Sequence, residues 1–209
     1  MLNFNLTSVS LAPRVFHLEK FLSSFEADEI IRMANPKVKE SFVGSHDEGG
    51  GRTSDTRTSR NTWIPRGTSL LTETLSRRAA DVLGLDESIL WSQKNVEDLQ
   101  VVSYEHGQKY EPHHDWGVRG YPNSRFITLL LYLTDQPHPN AGGETAFPKG
   151  NGGLGFKVIP RRGDAVFFYN LLEDGNGDDL ALHAALPATS GKKWLANYWV
   201  WDPTRKEMK

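Results

Sequence analysis

Two side chains that bind divalent metals stand two positions apart in the stretch Tyr104 to Trp116, YEHGQKYEPHHDW: His113 and Asp115. In an extended strand residues i and i+2 point to one face, so the spacing predicts an imidazole and a carboxylate converging on one point. Two neutral imidazoles and one carboxylate form the facial donor set of a non-haem iron(II) ion, which keeps its other positions open for substrate and dioxygen. A second histidine is then needed from elsewhere in the chain. The histidines are His17, His46, His106, His113, His114, His138 and His183. Of those downstream, His183 lies in the apolar run LALHAALP with Ala181 and Ala185 at i−2 and i+2, small side chains that leave room beside a metal. The competing reading takes HxD as a chance tripeptide and His183 as a hydrogen-bonded core histidine, because motifs this short often arise by chance.

A second chemical signal sits in the closing segment KKWLANYWVW. Period-2 alternation places Lys193, Leu195, Asn197, Trp199 and Trp201 on one face and Trp194, Ala196, Tyr198 and Val200 on the other. Both faces carry apolar residues, so a strand here is covered on both sides, and Lys193 is expected to be buried or to line a cavity. A buried ammonium requires an anion, from the protein or from a ligand. The alternative is a solvated lysine at a strand start.

The elements that must position these residues are mostly strands. After a segment 1–13 without periodicity, expected as an arm or edge segment, RVFHLEKFL reads as a short strand. Ser23 with Glu26 three later marks a helix start, and the helix runs to about Asn35 ahead of Pro36. KVKESFVG alternates as a half-buried strand, and residues 44–56, GSHDEGGGRTSDT, read as a Gly-rich mobile loop. Leu71, Leu75, Ala79 and Val82 recur at helical spacing, with Gly84 as C-cap. From Leu99 on, LQVVSY, YEPHHDW, FITLLLYL, GETAF, FKVIP, DAVFFY, LALHAAL and KKWLANYWVW follow as strands divided by turn residues. Strands in series with helices gathered N-terminally argue for a mainly β (α+β) fold, a β-sandwich or jelly roll buttressed by helices. One domain over 14–203 is expected, with an N-terminal arm 1–13 and a C-terminal tail 204–209.

Composition removes several function classes. With 24 Lys+Arg against 26 Asp+Glu the net charge is −2, which gives no attraction for nucleic acid. The absence of cysteine excludes disulfides, thiolate zinc sites and a cysteine nucleophile. The apolar run Ile127–Leu133 is too short to span a bilayer, and no basic segment followed by a hydrophobic one opens the chain. A soluble, monomeric chain without a membrane segment is expected, in the secretory-pathway (ER/Golgi) lumen if a targeting segment has been removed and in the cytoplasm otherwise. GNGGLG at 150–155 satisfies G-x-G-x-x-G, but a strand follows it where a dinucleotide site needs a helix, so it reads as a hairpin loop. Asp174 to Asp179 lacks the glycine and glutamate of a calcium loop and reads as a surface turn.

Taken together, YEHGQKYEPHHDW, AGGETAFP, RRGDAVFFYN, LALHAALPATSGKKW and NYWV resemble the prolyl 4-hydroxylases of the iron(II) and 2-oxoglutarate-dependent dioxygenases, in their small plant and algal form, from about Arg14 to Trp201. The resemblance implies a double-stranded β-helix (jelly roll) core. It implies iron ligation by His113, Asp115 and His183, with no catalytic residue beyond the metal centre. Lys193, ten residues after His183, would bind the far carboxylate of 2-oxoglutarate, with Tyr104 and Thr145 hydrogen-bonded to the same cosubstrate. Tyr110, Arg125 and Trp199 would line a peptide groove, with Arg57 and Ser59 at the edge of the Gly-rich loop. The implied activity is hydroxylation of peptidyl proline at C4 with Fe(II), O2 and 2-oxoglutarate, giving 4-hydroxyproline, succinate and CO2, with ascorbate as reductant. Two other readings stand beside it: an oxygenase of the same type acting on a free amino acid or another protein side chain, and a non-catalytic jelly-roll binding module.

Overall fold

The computed structural model describes residues 4–42, 55–91, 95–117 and 125–202. Most of the Gly-rich loop, His46 and the expected C-terminal tail therefore lie outside the described residues. Twelve strands are described: β1 (Asn5–Leu11), β2 (Arg14–Glu19), β3 (Lys39–Glu40), β4 (Arg60–Ile64), β5 (Leu99–Tyr104), β6 (Tyr110–His113), β7 (Arg125–Tyr132), β8 (Thr145–Phe147), β9 (Phe156–Val158), β10 (Ala165–Tyr169), β11 (His183–Ala185) and β12 (Lys193–Trp201). They form an eight-stranded sheet in the order β1-β2-β10-β7-β12-β5-β4-β3 and a four-stranded sheet in the order β6-β11-β8-β9.

Alternation along the central strands divides the interior in two. Ile127, Leu129 and Leu131 of β7, with Trp194, Ala196, Tyr198 and Val200 of β12, face α1 (Ser24–Ala34) and α2 (Leu70–Leu83). Leu130 and Tyr132 of β7, Val166 and Phe168 of β10 and Leu195 of β12 face the small sheet, where they meet Phe147 and Val158. Burial of apolar area on both faces is the dominant stabilising term for such a sheet. It makes the large sheet a two-sided slab, with helices behind and the small sheet in front. The mainly β jelly roll buttressed by helices follows from that layering.

Helix ends form where the sequence places caps. Ser23 and Glu26 make a reciprocal capping box on α1, and Ser69 caps α2 on the same side of the slab. Gly84 closes α2 in the left-handed conformation at φ +64°. Arg78 of α2 joins the helices by bonding the Phe21 carbonyl and, at 2.7 Å, the Glu26 carboxylate.

Several expectations are corrected. Of the arm and the edge segment expected over 1–13, residues 5–11 take the second form, the edge strand of the large sheet, paired to β2. Among the described residues the strand expected over KVKESFVG is reduced to Lys39–Glu40, and a short helix α3 (Glu87–Trp91) had no periodic signal long enough to announce it. A 3-10 turn over Asp179–Ala181 shortens the LALHAAL strand to His183–Ala185. The decoy GNGGLG is the β8–β9 connection, with a 3-10 turn at Asn151–Gly153, as its flanking strands required. The segment Thr56–Thr58 pairs with β6 of the small sheet, and two residues later the same chain becomes β4 of the large one. This crossover closes one side of the space between the sheets.

Candidate metal centre

The two histidines are brought together by strand register. In the antiparallel β6–β11 pair, His183 stands directly opposite His113. Their ring centroids are 4.4 Å apart, and the side chains share the face turned to the interior. Each ring is oriented by its own backbone: His113 Nδ1 donates to the Glu111 carbonyl at 2.8 Å and His183 Nδ1 to the Ala181 carbonyl at 3.0 Å. A carbonyl only accepts, so each Nδ1 carries a hydrogen, which leaves Nε2 as the nitrogen open to a metal. Both Nε2 atoms point at Asp115, at 3.8 Å from Oδ1 for His113 and 3.7 Å from Oδ2 for His183.

Asp115 reaches this point differently from expectation. β6 ends at His113, and Asp115 lies in a bend beyond it, so strand alternation does not place the carboxylate. Two hydrogen bonds from the large sheet do: Thr128 Oγ1 donates to Oδ2 at 2.6 Å and Trp199 Nε1 donates to the same oxygen at 2.8 Å. Burial would raise the Asp115 carboxyl, but the facing His183 and His113 rings, Arg125 and the Thr128 hydroxyl outweigh it and hold the group well below the usual carboxylate range. Burial and the neighbouring His183 push His113 well below its ordinary value, so its imidazole is neutral at neutral pH. One ligand atom from each of the three residues lies within 4.8 Å of the others. Two Nε2 lone pairs and an ionised carboxylate, without thiolate, fit a divalent iron ion held on one side only.

The expected cosubstrate residues form a second group bordering the core between the two sheets. Lys193 opens β12 opposite Tyr104 of β5 and is 6% exposed. Its Nζ has no hydrogen-bond partner among the described residues and lies 5.5 Å from the Tyr104 ring and 5.9 Å from the Tyr132 ring. Burial pushes this ammonium down to about 7, against a weak opposing pull from Glu144. A buried cation without a counter-ion is the arrangement that a carboxylate of a bound acid completes. Tyr132 Oη donates to Thr145 Oγ1 at 2.9 Å, and Thr145 pairs with Ala185, two residues beyond His183. Burial raises the Tyr104 hydroxyl to about 12, so it stays a neutral donor.

The residues expected around a groove take distinct places. Tyr110 stacks on His113 with centroids 3.6 Å apart, and the Arg57 guanidinium lies 4.7 Å over the Tyr110 ring. Arg125 forms a two-point pair with Glu97 at 2.6 and 2.8 Å and lies 3.7 Å over the Trp199 ring. Trp199 is 5% exposed and holds Asp115, so its polar end faces inward. Ser59 is 1% exposed with its hydroxyl 2.9 Å from Ser41 Oγ, so this side chain belongs to the interior and Arg57 and Thr58 are what the segment presents outward. Thr128, Tyr132 and Asn170 were not anticipated. Thr128 and Tyr132 are hydroxyls four apart on one face of the apolar run FITLLLYL, a signal the sequence does carry.

Residues 99–201 match the sequence profile of the 2OG-Fe(II) oxygenase superfamily, a span that contains every residue of the metal centre. Prolyl 4-hydroxylase 2 of Arabidopsis thaliana is 34% identical, over 92% of this chain and 68% of that protein. Prolyl 4-hydroxylase 5 of the same plant is 31% identical, over 91% and 69%. Among solved structures, a viral collagen prolyl hydroxylase from Paramecium bursaria Chlorella virus-1, in complex with 2OG, superposes with a TM-score of 0.70 at 29% identity, covering 93% of this chain and 99% of that one. The chain belongs to the prolyl 4-hydroxylase family of the 2OG-Fe(II) oxygenase superfamily, and uses iron(II) and 2-oxoglutarate.

Proposed function

We propose that this protein hydroxylates peptidyl proline at C4, consuming 2-oxoglutarate and dioxygen and giving 4-hydroxyproline, succinate and carbon dioxide. The observation that carries the reading is a His113–Asp115–His183 cluster bordering the same between-sheet core as a buried lysine that has no hydrogen-bond partner among the described residues. His113 and His183 would hold the metal through Nε2, since Nδ1 of each ring is committed to a carbonyl. Asp115, ionised, would supply the third ligand. Bound iron(II), with 2-oxoglutarate and dioxygen, supplies the oxidising chemistry that converts the keto acid to succinate and places one oxygen atom on a C–H bond. Lys193 would pair with the far carboxylate and set the orientation of the keto acid, with Thr145 and Tyr104 as neutral donors beside it. The buried interior excludes water from these charges, which strengthens each of them.

A peptide reading is supported at the rim. Half-buried Tyr110 and Arg57, next to the exposed Thr58, offer an aromatic edge and a guanidinium beside His113, a rim on which a polyproline II segment, whose conformation is already restricted, docks at low entropic cost. The test is incubation of iron(II)-loaded protein with 2-oxoglutarate in air, with proline-rich peptides in one arm and free proline in another, read by mass spectrometry. Gain of one oxygen on peptidyl proline together with succinate is expected. Gain only on free proline favours the free amino-acid reading, and neither gain nor succinate in any arm contradicts both.

A further inference from the structure

We propose that Thr128 and Asn170 are positioning residues that act through Asp115, fixing the carboxylate rotation in which Oδ1 is the oxygen offered to the metal. The inference rests on the metal centre described above and concerns two residues that touch neither metal nor substrate. Thr128 and Trp199 are cross-strand partners in the β7–β12 pair, and both donate to Oδ2 of Asp115. A carboxylate oxygen has two lone pairs, and two donors at 2.6 and 2.8 Å occupy both. Although Oδ2 lies 3.7 Å from His183 Nε2, its acceptor capacity is committed to the sheet. Oδ1 remains, 3.8 Å from His113 Nε2 and 4.0 Å from Arg125 Nη1, with no hydrogen bond to it among the described residues.

Asn170 settles which way the threonine hydroxyl points. Its Nδ2 donates to Thr128 Oγ1 at 2.8 Å. The hydroxyl has one hydrogen, and an amide N–H beside it forces that hydrogen toward Asp115. The order Asn170, Thr128, Asp115 is therefore directional, with each group donating to the next. Both side chains are buried, Thr128 at 1% and Asn170 at 0% exposure. Asn170 Oδ1 has no partner among the described residues. A buried acceptor without a partner destabilises the fold, so the amide is not explained by stability and is explained by what its donor does.

The test measures Co(II) binding by metal-free full-length protein, by titration calorimetry and by the visible absorption of the bound ion. Removing a hydrogen bond behind a ligand lowers metal affinity by about 10- to 100-fold. Thr128→Val, which keeps the shape and deletes the hydroxyl, is expected to raise the Co(II) dissociation constant by that factor, and Thr128→Ser to restore it. Asn170→Leu is expected to raise it as well. Because the two act in series, the double variant Thr128→Val/Asn170→Leu should bind no more weakly than Thr128→Val alone. Thermal unfolding of each metal-free variant checks that it is folded, and Asn170→Leu with Thr128→Ser carries the test if Thr128→Val does not fold. Unchanged affinity in Thr128→Val or Asn170→Leu, or additive losses in the double variant, overturns the relay. His183→Ala separates the two levels: if it leaves Co(II) binding intact, the metal centre itself is misassigned.

Discussion

Lys193 is the residue whose chemistry is most exposed to test, because it is buried and its Nζ has no hydrogen-bond partner among the described residues. Breaking a buried pair by removing one partner costs about 3–5 kcal/mol, so Lys193→Ala should raise the apparent KM for 2-oxoglutarate by roughly 100-fold or more in steady-state assays. The KM for peptide should change little, and equal effects on both would contradict the assignment. Its pH behaviour follows from burial, which pushes the group down to about 7 from its ordinary value of 10.5. Between those two values the unfolded chain holds the proton that the free folded protein has released, so this group adds stability as pH rises through that window. The ligand works in the opposite sense, since a carboxylate needs the charged form. Affinity for 2-oxoglutarate should therefore fall as pH rises above about 7, with proton uptake on binding near pH 8, measured by calorimetry in buffers of different ionisation heat. Binding that is flat across this range without proton uptake would contradict a lysine partner. At this scale the sequence was informative: His113, Asp115, His183 and Lys193 stand in contexts that ask for a metal or an anion. Thr128 shares a strand face with Tyr132 in the sequence, but its role and that of Asn170, which lies in the bend after β10, depend on which residues the register brings against them.

Register is what the elements contribute. β6 and β11 are short strands from distant parts of the chain, and their pairing sets His113 against His183 within one ladder step. No periodicity within either segment encodes that choice, since pairing depends on turns and on which face is buried. The bend that carries Asp115 was equally illegible, because no glycine or proline stands between His113 and Trp116 to announce it. The strands of the large sheet were legible for the opposite reason: LQVVSY and KKWLANYWVW are long enough for alternation to show. One glycine links element geometry to the site. Gly142 has φ +70°, and a Cβ there would lie 2.2 Å from the Pro187 carbonyl oxygen, while Gly143 packs on the Lys193 side chain. Gly142→Ala forces both a strained backbone and a clash, and should lower stability by about 1–3 kcal/mol, read as the urea midpoint. The same variant should weaken 2-oxoglutarate binding, since the displaced loop is the one against Lys193. An unchanged midpoint would show that the loop is free to move.

For the whole molecule, the large sheet is a slab with separate duties on its two sides. Its back, against α1 and α2, is apolar and stabilises the fold; its front holds Asp115 in place and carries Lys193 and the hydroxyls around it. A ligand that binds only the folded chain stabilises it by RT ln(1 + [L]/Kd), about 2.7 kcal/mol at a hundredfold excess over Kd. For a domain of this size that corresponds to roughly 5–10 °C in Tm. Co(II) should raise the Tm by that amount in scanning calorimetry, and the His183→Ala variant should lose the shift; an equal shift in both would place the metal elsewhere. The most direct measurement of the central claim is anomalous diffraction at the iron edge from crystals grown without oxygen in iron(II) and 2-oxoglutarate. We predict a single peak bounded by His113 Nε2, His183 Nε2 and Asp115, with the far carboxylate of the keto acid on Lys193 Nζ. A peak away from those three side chains, or a keto acid that leaves Lys193 unpaired, would contradict it.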